Sequence, residues 1–336
     1  MSRVGLALVG CGNMGRGLIS SLQFIPEAEL VIAVDAMADA AKRVALDHSC
    51  DFATDLDAAL VRNDVDAVII ATPNFLHAPQ AIAAARAGKH VFTEKPLALS
   101  AADGAAMIRA AREAGTKLMV GQVLRYVVPF VWVLEGILGG EWGEPFAAQI
   151  TRLSGGWHGT RYDDAWRMSA AQSGGALFEI HVHEIDFMNQ IFGQPESVYA
   201  LTGRFLLDDV DYYDTAEMLV RYPGGKPVQF FTGNSAFEPR YDAKILCTEA
   251  DIYLAGFGGV HVHTRGDEVI EPNATDLQSM YEPGTKREMR EFIQAITADE
   301  PVTISGEDGL AAIEVADAAV RSSETGDVIR LPLVEV

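Results

Sequence analysis

The sequence predicts an α/β protein with two domains: a doubly wound parallel sheet over residues 1–122 and an α+β domain over residues 123–336. Two patterns support this prediction. Fully apolar strands alternate with helical segments as far as Gly121, as a parallel sheet covered on both faces requires. Beyond Gln122 the extended segments become closely spaced and are separated by turn residues, which favours a large open, mainly antiparallel sheet.

The first strand, helix and strand organise the N-terminal domain. The apolar run Val4–Val9 stops at the segment Gly-Cys-Gly-Asn-Met-Gly, and apolar residues then recur at helical spacing. Gly10 permits the tight turn, Gly12 lets the backbone approach a pyrophosphate, and Gly15 lets the helix pack on the strand. The free N–H groups of the helix would face the phosphates. A glycine turn alone is weak evidence, since it also occurs as a plain tight turn.

Asp35 strengthens this interpretation. It ends the second apolar strand twenty residues beyond Gly15, where its carboxylate would accept hydrogen bonds from the adenosine ribose hydroxyls. The strand, the helix and the acidic residue therefore agree on a dinucleotide site. The predicted cofactor-binding residues of this segment are Gly10, Gly12, Asn13, Met14, Gly15 and Asp35.

Further elements follow from periodicity and from turn residues. Ser100 and Asp103 resemble a capping box at the start of a helix. The predicted strands are 66–71, 90–93, 117–121 and 146–152, the extended segments 197–207, 215–222, 228–235, 244–248, 252–254 and 260–264, and the last strand 328–331; the helices are 78–87, 101–114, 127–138, 176–192, 286–298 and 307–323.

Composition narrows the possible partners. A formal charge of −21 and a pI near 4.7 argue against nucleic acid or anionic membranes, which need a basic face. Three dispersed cysteines suggest neither a disulfide framework nor a cysteine-based metal site. The N-terminus enters a strand directly, and no apolar run approaches the length of a membrane span. The sequence therefore predicts a cytoplasmic protein.

Two groups of side chains could carry chemistry. Thr72 and Glu94-Lys95 follow strands, and ligands of doubly wound sheets bind outside the carboxyl ends of strands. Lys95 would lie beside the nicotinamide end of a cofactor and could stabilise negative charge on a substrate oxygen. The alternative is a solvated surface lysine. Pro96, which restricts the backbone of Lys95, favours the functional interpretation.

The second group lies on the helix after Gly174. Glu179 and His183 are four residues apart and share a helical face, so the carboxylate could hold the imidazole as a base near neutral pH. His181 points elsewhere and is expected to be structural. Metal binding by this cluster fits poorly with that geometry. His261 and His263 share a strand face but are expected to be exposed or core histidines, so no metal site is predicted.

Together these motifs resemble the Gfo/Idh/MocA oxidoreductase family over nearly the whole chain. The resemblance implies a Rossmann domain, an open-faced α/β domain and NAD(P)-linked oxidation of sugars, cyclitols or related hydroxy compounds. No single motif is specific, but the combination is. The matching motifs are Gly10–Gly15, Thr72–His77, Glu94–Pro96, Trp166-Arg167, the segment from Gly174-Gly175 through His183 to Asp186, and Glu307–Gly309.

The family resemblance also implies residue roles. Lys95 and His183 would lie at the substrate carbinol, and Arg125 would touch the substrate. Glu179 is a departure, because sugar and inositol dehydrogenases of this type commonly have Asp there. The cofactor contacts would extend to Thr72, Asn74, His77, Glu94 and Lys95.

These observations predict an NAD-dependent dehydrogenase acting on a secondary hydroxyl of a sugar, glycoside or cyclitol. His183 would accept the hydroxyl proton, Glu179 would orient His183, and Lys95 would stabilise developing charge on oxygen. Planar rings and paired polar groups suit carbohydrate. The predicted substrate contacts are Arg125, His183 and, from the aromatic loop, Trp157, Tyr162, Asp163, Asp164, Trp166 and Arg167.

Two other functions remain compatible with the sequence. Some relatives keep NAD bound and use transient oxidation to cleave a glycosidic bond. A non-catalytic NAD-binding regulator is the other alternative, although Lys95 and His183 weigh against it. A homodimer or homotetramer is expected, because relatives commonly pair through the open sheet. The apolar residues proposed for that face are Val198, Phe205, Leu219, Phe230 and Phe231.

Overall fold

The computed structural model describes residues 3–157, 164–280, 282 and 284–336. It confirms the predicted fold class, with one parallel sheet and one mixed sheet. The described chain divides into two compact units. The first comprises Met1–Val123 and Pro283–Leu310 with Val336, and the second comprises Leu124–Glu282 and Ala311–Glu335.

The first unit contains a six-stranded parallel sheet in the order β3-β2-β1-β4-β5-β6. This order reverses between β1 and β4, which is where doubly wound sheets bind ligands. Its strands are β1 (Val4–Val9), β2 (Ala28–Val34), β3 (Asp51–Ala53), β4 (Ala67–Ile70), β5 (His90–Glu94) and β6 (Leu118–Gly121). Its helices are α1 (Asn13–Ser20), α2 (Ala38–His48), the single turn α3 (Asp57–Leu60), α4 (His77–Arg86) and α5 (Ala101–Ala114).

Local sequence signals explain several of these boundaries. Every residue of β1 is buried, as expected for a central strand covered on both faces. The Ser100 side chain accepts a hydrogen bond from the backbone N–H of Asp103 at 3.1 Å, which confirms the predicted cap of α5. Gly115 ends that helix with φ +65°, a conformation that glycine adopts without strain.

The second unit contains a nine-stranded sheet in the order β14-β13-β12-β11-β7-β10-β9-β8-β15. Most neighbours are antiparallel, but β10 and β7 pair in parallel. Its strands are β7 (Pro145–Leu153), β8 (Ser197–Gly203), β9 (Thr215–Tyr222), β10 (Lys226–Gly233), β11 (Arg240–Cys247), β12 (Ala250–Ala255), β13 (Gly259–Thr264), β14 (Val269–Ile270) and β15 (Ile329–Arg330). The helices that follow β6 in the chain are α6 (Val128–Leu138), the single turn α7 (Ala170–Ser173), α8 (Val182–Phe192), α9 (Ala274–Met280), α10 (Gly284–Thr297) and α11 (Gly306–Thr325).

Three features differ from the sequence-based expectations. The predicted helix 176–192 begins with a π-helical turn, Leu177–His181, before α8. Residues 283–310, which include α10, belong to the first compact unit although they follow the second in the chain. Val198 and Phe230 are fully buried rather than exposed, because they point to the covered side of the nine-stranded sheet.

Among the helices of the described part of the chain, none combines the length and the apolar character that a bilayer crossing requires.

Candidate active site

The glycine loop between β1 and α1 has the geometry of a phosphate cradle. Gly10 adopts φ +94°, and a Cβ atom there would lie 2.5 Å from the carbonyl oxygen of Ala71. A Cβ on Gly15 would lie 2.0 Å from the Gly10 carbonyl oxygen, so only glycine allows this close packing. A Cβ on Gly12 would meet nothing within 4 Å. The open side of the loop therefore has room for a pyrophosphate at the start of α1.

Asp35 is tied to this loop by its carboxylate. One oxygen accepts a hydrogen bond from the backbone N–H of Cys11 at 2.8 Å, and the other accepts one from Met37 at 2.8 Å. Burial, followed by the nearby Asp35 charge, raises the pKa of the Cys11 thiol to about 12. Asp35 is only half-buried, so it can still meet a ribose. These residues fit NAD.

The ends of β4 and β5 carry the next predicted residues. Thr72 and Lys95 are half-buried, whereas Asn74 and Glu94 are buried. The backbone N–H of Lys95 donates to a carboxylate oxygen of Glu94 at 3.3 Å. Because β4 and β5 are hydrogen-bonded neighbours, both strand ends lie on one edge of the parallel sheet.

His77 requires a correction. The sequence assigned it to direct cofactor contact, but its side chain is 0% exposed. Its Nδ1 lies 2.8 Å from the carbonyl oxygen of Pro96, and its Nε2 lies 3.0 Å from that of Thr72. A ring without accessible surface cannot touch a ligand. His77 therefore supports the surrounding loops instead of contacting the cofactor.

A second carboxyl group approaches Glu94 from α10. Glu288 is almost fully buried, and burial raises its pKa well above the usual range, with the Glu94 charge adding to the effect. A Cβ on Gly121 would lie 3.3 Å from the Glu94 carboxyl carbon. The Glu94 carboxyl group is therefore closely packed inside the protein. This packing fixes Glu94, the residue directly before Lys95.

In the second unit, two ion pairs fix the start of α8. Asp186 accepts hydrogen bonds from Nε and Nη2 of Arg125 at 2.7 and 2.6 Å, and Glu184 accepts one from Arg152 at 2.5 Å. Both carboxylates are buried. His183 directly precedes Glu184 in the chain and, among the described residues 181–189, is the one that is not buried. The helix therefore directs His183 away from the core.

Arg125 is thus engaged inside the protein. Its bidentate pair with Asp186 uses two of its N–H groups. The predicted substrate contact of Arg125 stays a prediction, and it would have to use the remaining donors of the guanidinium.

Glu179 has a partner that sequence reasoning missed. Its carboxylate lies 3.0 Å from Nε of Arg167, which also pairs with Asp164 at 2.5 Å and lies over the Trp166 ring at 4.1 Å. The π-helical turn also changes the helical spacing on which the Glu179–His183 relation was based. The orienting role of Glu179 toward His183 stays a prediction. Tyr162 and Asp163 lie outside the described residues.

His181 is fully buried beside Glu184, with Nδ1 at 3.7 Å from a carboxylate oxygen. Burial lowers the pKa of His181, and Glu184 opposes that shift. Within the described ranges, no group of three or more His, Cys, Asp or Glu side chains is arranged to hold a metal ion.

Comparison with known proteins identifies the family. The model of the oxidoreductase family's NAD-binding Rossmann fold matches residues 4–122, and that of its C-terminal α/β domain matches residues 135–331. The chain belongs to the Gfo/Idh/MocA oxidoreductase family. It is accordingly an NAD-binding oxidoreductase.

Relatives of this Gfo/Idh/MocA protein have several activities. Inositol 2-dehydrogenase of Rhizobium meliloti (strain 1021) is 30% identical over 95% of this chain and 96% of its own length. A 2,7-anhydro-N-acetylneuraminate hydratase of Escherichia coli (strain K12) is 30% identical over 75% of this chain and 67% of its own length. The crystal structure of the WlbA dehydrogenase from Bordetella pertussis, in complex with NADH and UDP-GlcNAcA, has a TM-score of 0.89 at 26% identity and covers 99% of both chains.

The aromatic loop of this Gfo/Idh/MocA protein differs from expectation at Trp157. Its Nε1 donates to the hydroxyl oxygen of Tyr212 at 2.6 Å, and Asn234 donates to the same oxygen at 3.0 Å. Trp157 is buried in a small cluster with Tyr212 and Ile180. The Trp157 ring therefore packs against Ile180 of the π-helical turn instead of being offered to a sugar. In the sequence, Trp157 is an aromatic residue in a polar loop, and this pattern does not distinguish a packing role from contact with substrate.

Proposed function

We propose that the protein is an NAD-dependent dehydrogenase that oxidises a secondary hydroxyl of a sugar, glycoside or cyclitol. The observation that carries this proposal is the NAD cradle at residues 10–15 with Lys95 at the same edge of the parallel sheet. The substrate class is supported by the names of the relatives, which include an inositol dehydrogenase and a dehydrogenase bound to a sugar nucleotide.

The residues of this chain account for the proton and the charge. Bound NAD supplies the hydride acceptor. A ring nitrogen of His183 accepts the hydroxyl proton as general base. The Lys95 ammonium donates a hydrogen bond to the same oxygen and stabilises the negative charge that develops there. Glu179 orients His183 and is itself positioned by its 3.0 Å ion pair with Arg167.

A panel of polyols, free sugars and glycosides tests this proposal. Each compound is incubated with enzyme and NAD, and absorbance of the reduced nicotinamide is followed. We expect reduction of NAD with at least one cyclitol or sugar. A protein that binds NAD but reduces none with any member of the panel would contradict the proposal.

The hydratase relative favours a second candidate function, an NAD-retaining enzyme that oxidises its substrate transiently to cleave a glycosidic bond. Such an enzyme would purify with NAD bound and would form product without added cofactor. A dehydrogenase would instead consume one NAD for each product molecule. Mass spectrometry of the purified protein, together with the product yield in the absence of NAD, distinguishes the two.

The cofactor should be NAD and not NADP. The fixed Asp35 carboxylate would repel a 2′-phosphate. The nearby cation Lys42 is engaged, since it pairs with Asp39 and lies over the Phe52 ring. We expect a clear preference for NAD in kcat/KM measured with both cofactors. Equal or better efficiency with NADP would contradict this prediction.

Two substitutions of Asp35 sharpen the cofactor test. Asp35→Ala should reduce the difference in kcat/KM between NAD and NADP by lowering kcat/KM with NAD. The substitution removes the acceptor for the N–H groups of Cys11 and Met37 as well as the charge. Asp35→Asn removes the charge but keeps one carbonyl acceptor, so its kcat/KM with NAD should fall less than that of Asp35→Ala. Asp47→Ala, an exposed carboxylate on α2, is the matched control and should change neither cofactor.

We also propose that the open sheet pairs with a second copy of the chain, giving a homodimer or homotetramer. Tyr199 and Leu219 are register partners on the uncovered face and are 40% and 51% exposed. Leu201 on β8 is 63% exposed, and Phe231 on β10 is 37% exposed. These four residues form one apolar patch, whereas the apolar residues on an ordinary protein surface are exposed singly.

Charge on the same face suits self-association. Glu217 and Arg221 of β9 lie on the side of Leu219 and are both exposed. A face that carries both signs can meet its own copy around a two-fold axis without repulsion.

Light scattering at micromolar concentration tests the assembly. We expect at least twice the monomer mass for the parent protein. Leu219→Glu should shift the mass toward the monomer, because it places a charge within the apolar patch. Leu46→Glu, the same substitution at a more exposed leucine on α2, should leave the mass unchanged. A monomeric parent protein would contradict the prediction.

A further inference from the structure

The buried ring of His77 joins the ends of two neighbouring strands. Thr72 follows β4 and Pro96 follows β5, and these strands are paired in the parallel sheet. The ring nitrogens of His77 lie 2.8 Å from the Pro96 carbonyl oxygen and 3.0 Å from the Thr72 carbonyl oxygen. With no exposed surface, the imidazole acts entirely inside the protein.

The chemistry of this bridge is directional. Backbone carbonyl oxygens only accept hydrogen bonds, so the ring must donate to hold them. A neutral imidazole donates from one nitrogen, and a protonated imidazole donates from both. The contact from Nδ1 to Pro96 is the shorter of the two.

The Pro96 carbonyl matters because of the residue that precedes it. On its N-terminal side, Lys95 is held by β5 and by its N–H bond to Glu94. On its C-terminal side, the proline ring restricts the backbone of Lys95 and fixes its own φ. The remaining soft torsion is ψ of Pro96, and a hydrogen bond to the Pro96 carbonyl restrains that torsion.

We propose that His77 is a positioning residue that aims the Lys95 side chain by anchoring the Pro96 carbonyl oxygen. This inference rests on the proposed catalytic role of Lys95. The anchor fixes the backbone on both sides of the lysine, so that the Cα–Cβ bond of Lys95 leaves the chain in one direction. The contact of Nε2 with the Thr72 carbonyl oxygen is separate from this role and lies in the loop after β4.

Two isosteric substitutions separate the two bonds. The side-chain amide nitrogen of His77→Asn falls near the position of Nδ1 and can still reach Pro96. The amide nitrogen of His77→Gln falls near Nε2 and can reach only Thr72. Both variants introduce the same chemical group. We expect His77→Asn to retain most of the parent kcat. The kcat of His77→Gln should fall about a hundredfold, the effect of misplacing a catalytic group by roughly an ångström.

Readouts other than turnover complete the test. The Kd of NAD, measured by fluorescence titration, should stay close to the parent value in both variants. Amide hydrogen exchange of the segment 94–98 in the cofactor-free protein should rise in His77→Gln but not in His77→Asn. Thermal unfolding follows stability. A Gln variant that fails to fold beside an Asn variant that behaves as the parent would overturn the proposal, because the ring would then be structural.

A double-mutant cycle with Lys95→Met distinguishes the possible failures. If His77 acts through Lys95, His77→Gln should cost little in the Lys95→Met background. An equal cost in both backgrounds, or equal losses in the Asn and Gln variants, would overturn the role of His77. If Lys95→Met itself keeps parent turnover, the proposed function is what fails.

Discussion

His183→Ala is expected to lower kcat by about a hundred- to ten-thousand-fold while NAD still binds, because a positioned base typically contributes that much to the rate. The ion pairs of Arg125 with Asp186 and of Arg152 with Glu184 hold α8 immediately after His183. Those pairs do not depend on the imidazole. The loss should therefore appear in turnover on the true substrate and not in the unfolding temperature or in the Kd of NAD.

His48→Ala is a matched control for this prediction. His48 is exposed at the end of α2 and carries none of the predicted roles. Its replacement should leave kcat unchanged. Near-parent turnover of His183→Ala would show that another group is the base. His181 could not take over, since its ring is fully buried. The candidate would then be Tyr162 of the aromatic loop.

The parts of the fold that could be predicted from the sequence are those with local causes. The glycine loop needs a positive φ without a Cβ atom at Gly10 and a missing Cβ at Gly15, and only glycine meets these requirements. The capping residues of α5 and the closing Gly115 are equally local. These signals lie within a few residues of the feature they determine, so a single sequence contains them.

The missed features depend on distant partners. The bonds of Arg125 to Asp186 and of Arg167 to Glu179 join residues 61 and 12 positions apart. Spacing along one helix could not indicate them. The π-helical turn at Leu177–His181 was also missed, because the apolar spacing of this buried segment had indicated an ordinary α-helix. This turn is why the i,i+4 argument for the predicted acid–base pair was incomplete.

In the open sheet, too, the sequence pattern could not show which face is buried. Alternation along β10 predicts that Phe230 and Phe231 point to opposite faces. Only the tertiary structure decides that Phe230 is buried while Phe231 stays partly exposed. The sequence therefore predicted an apolar sheet but assigned residues of both faces to the exposed side.

Lys95→Met is expected to lower kcat about as much as the loss of the base, because charge stabilisation in a site with little water is often the largest single contribution. Methionine has nearly the length and apolar stem of lysine but has no charge and no donor. Lys95 is half-buried, between the buried residues Glu94 and Pro96. Packing should therefore survive, and turnover measured at saturating NAD should report the missing ammonium alone.

Lys95→Arg is the complementary variant, since it keeps the positive charge and changes the geometry. The guanidinium is larger and planar, and so it cannot occupy the position of a compact ammonium. We expect Lys95→Arg to recover part, but not all, of the activity that Lys95→Met loses. The Kd of NAD should be close to the parent value in both. If Lys95→Met turns over at the parent rate, the lysine at the end of β5 is a surface residue, and the charge on the substrate oxygen must be stabilised by another group.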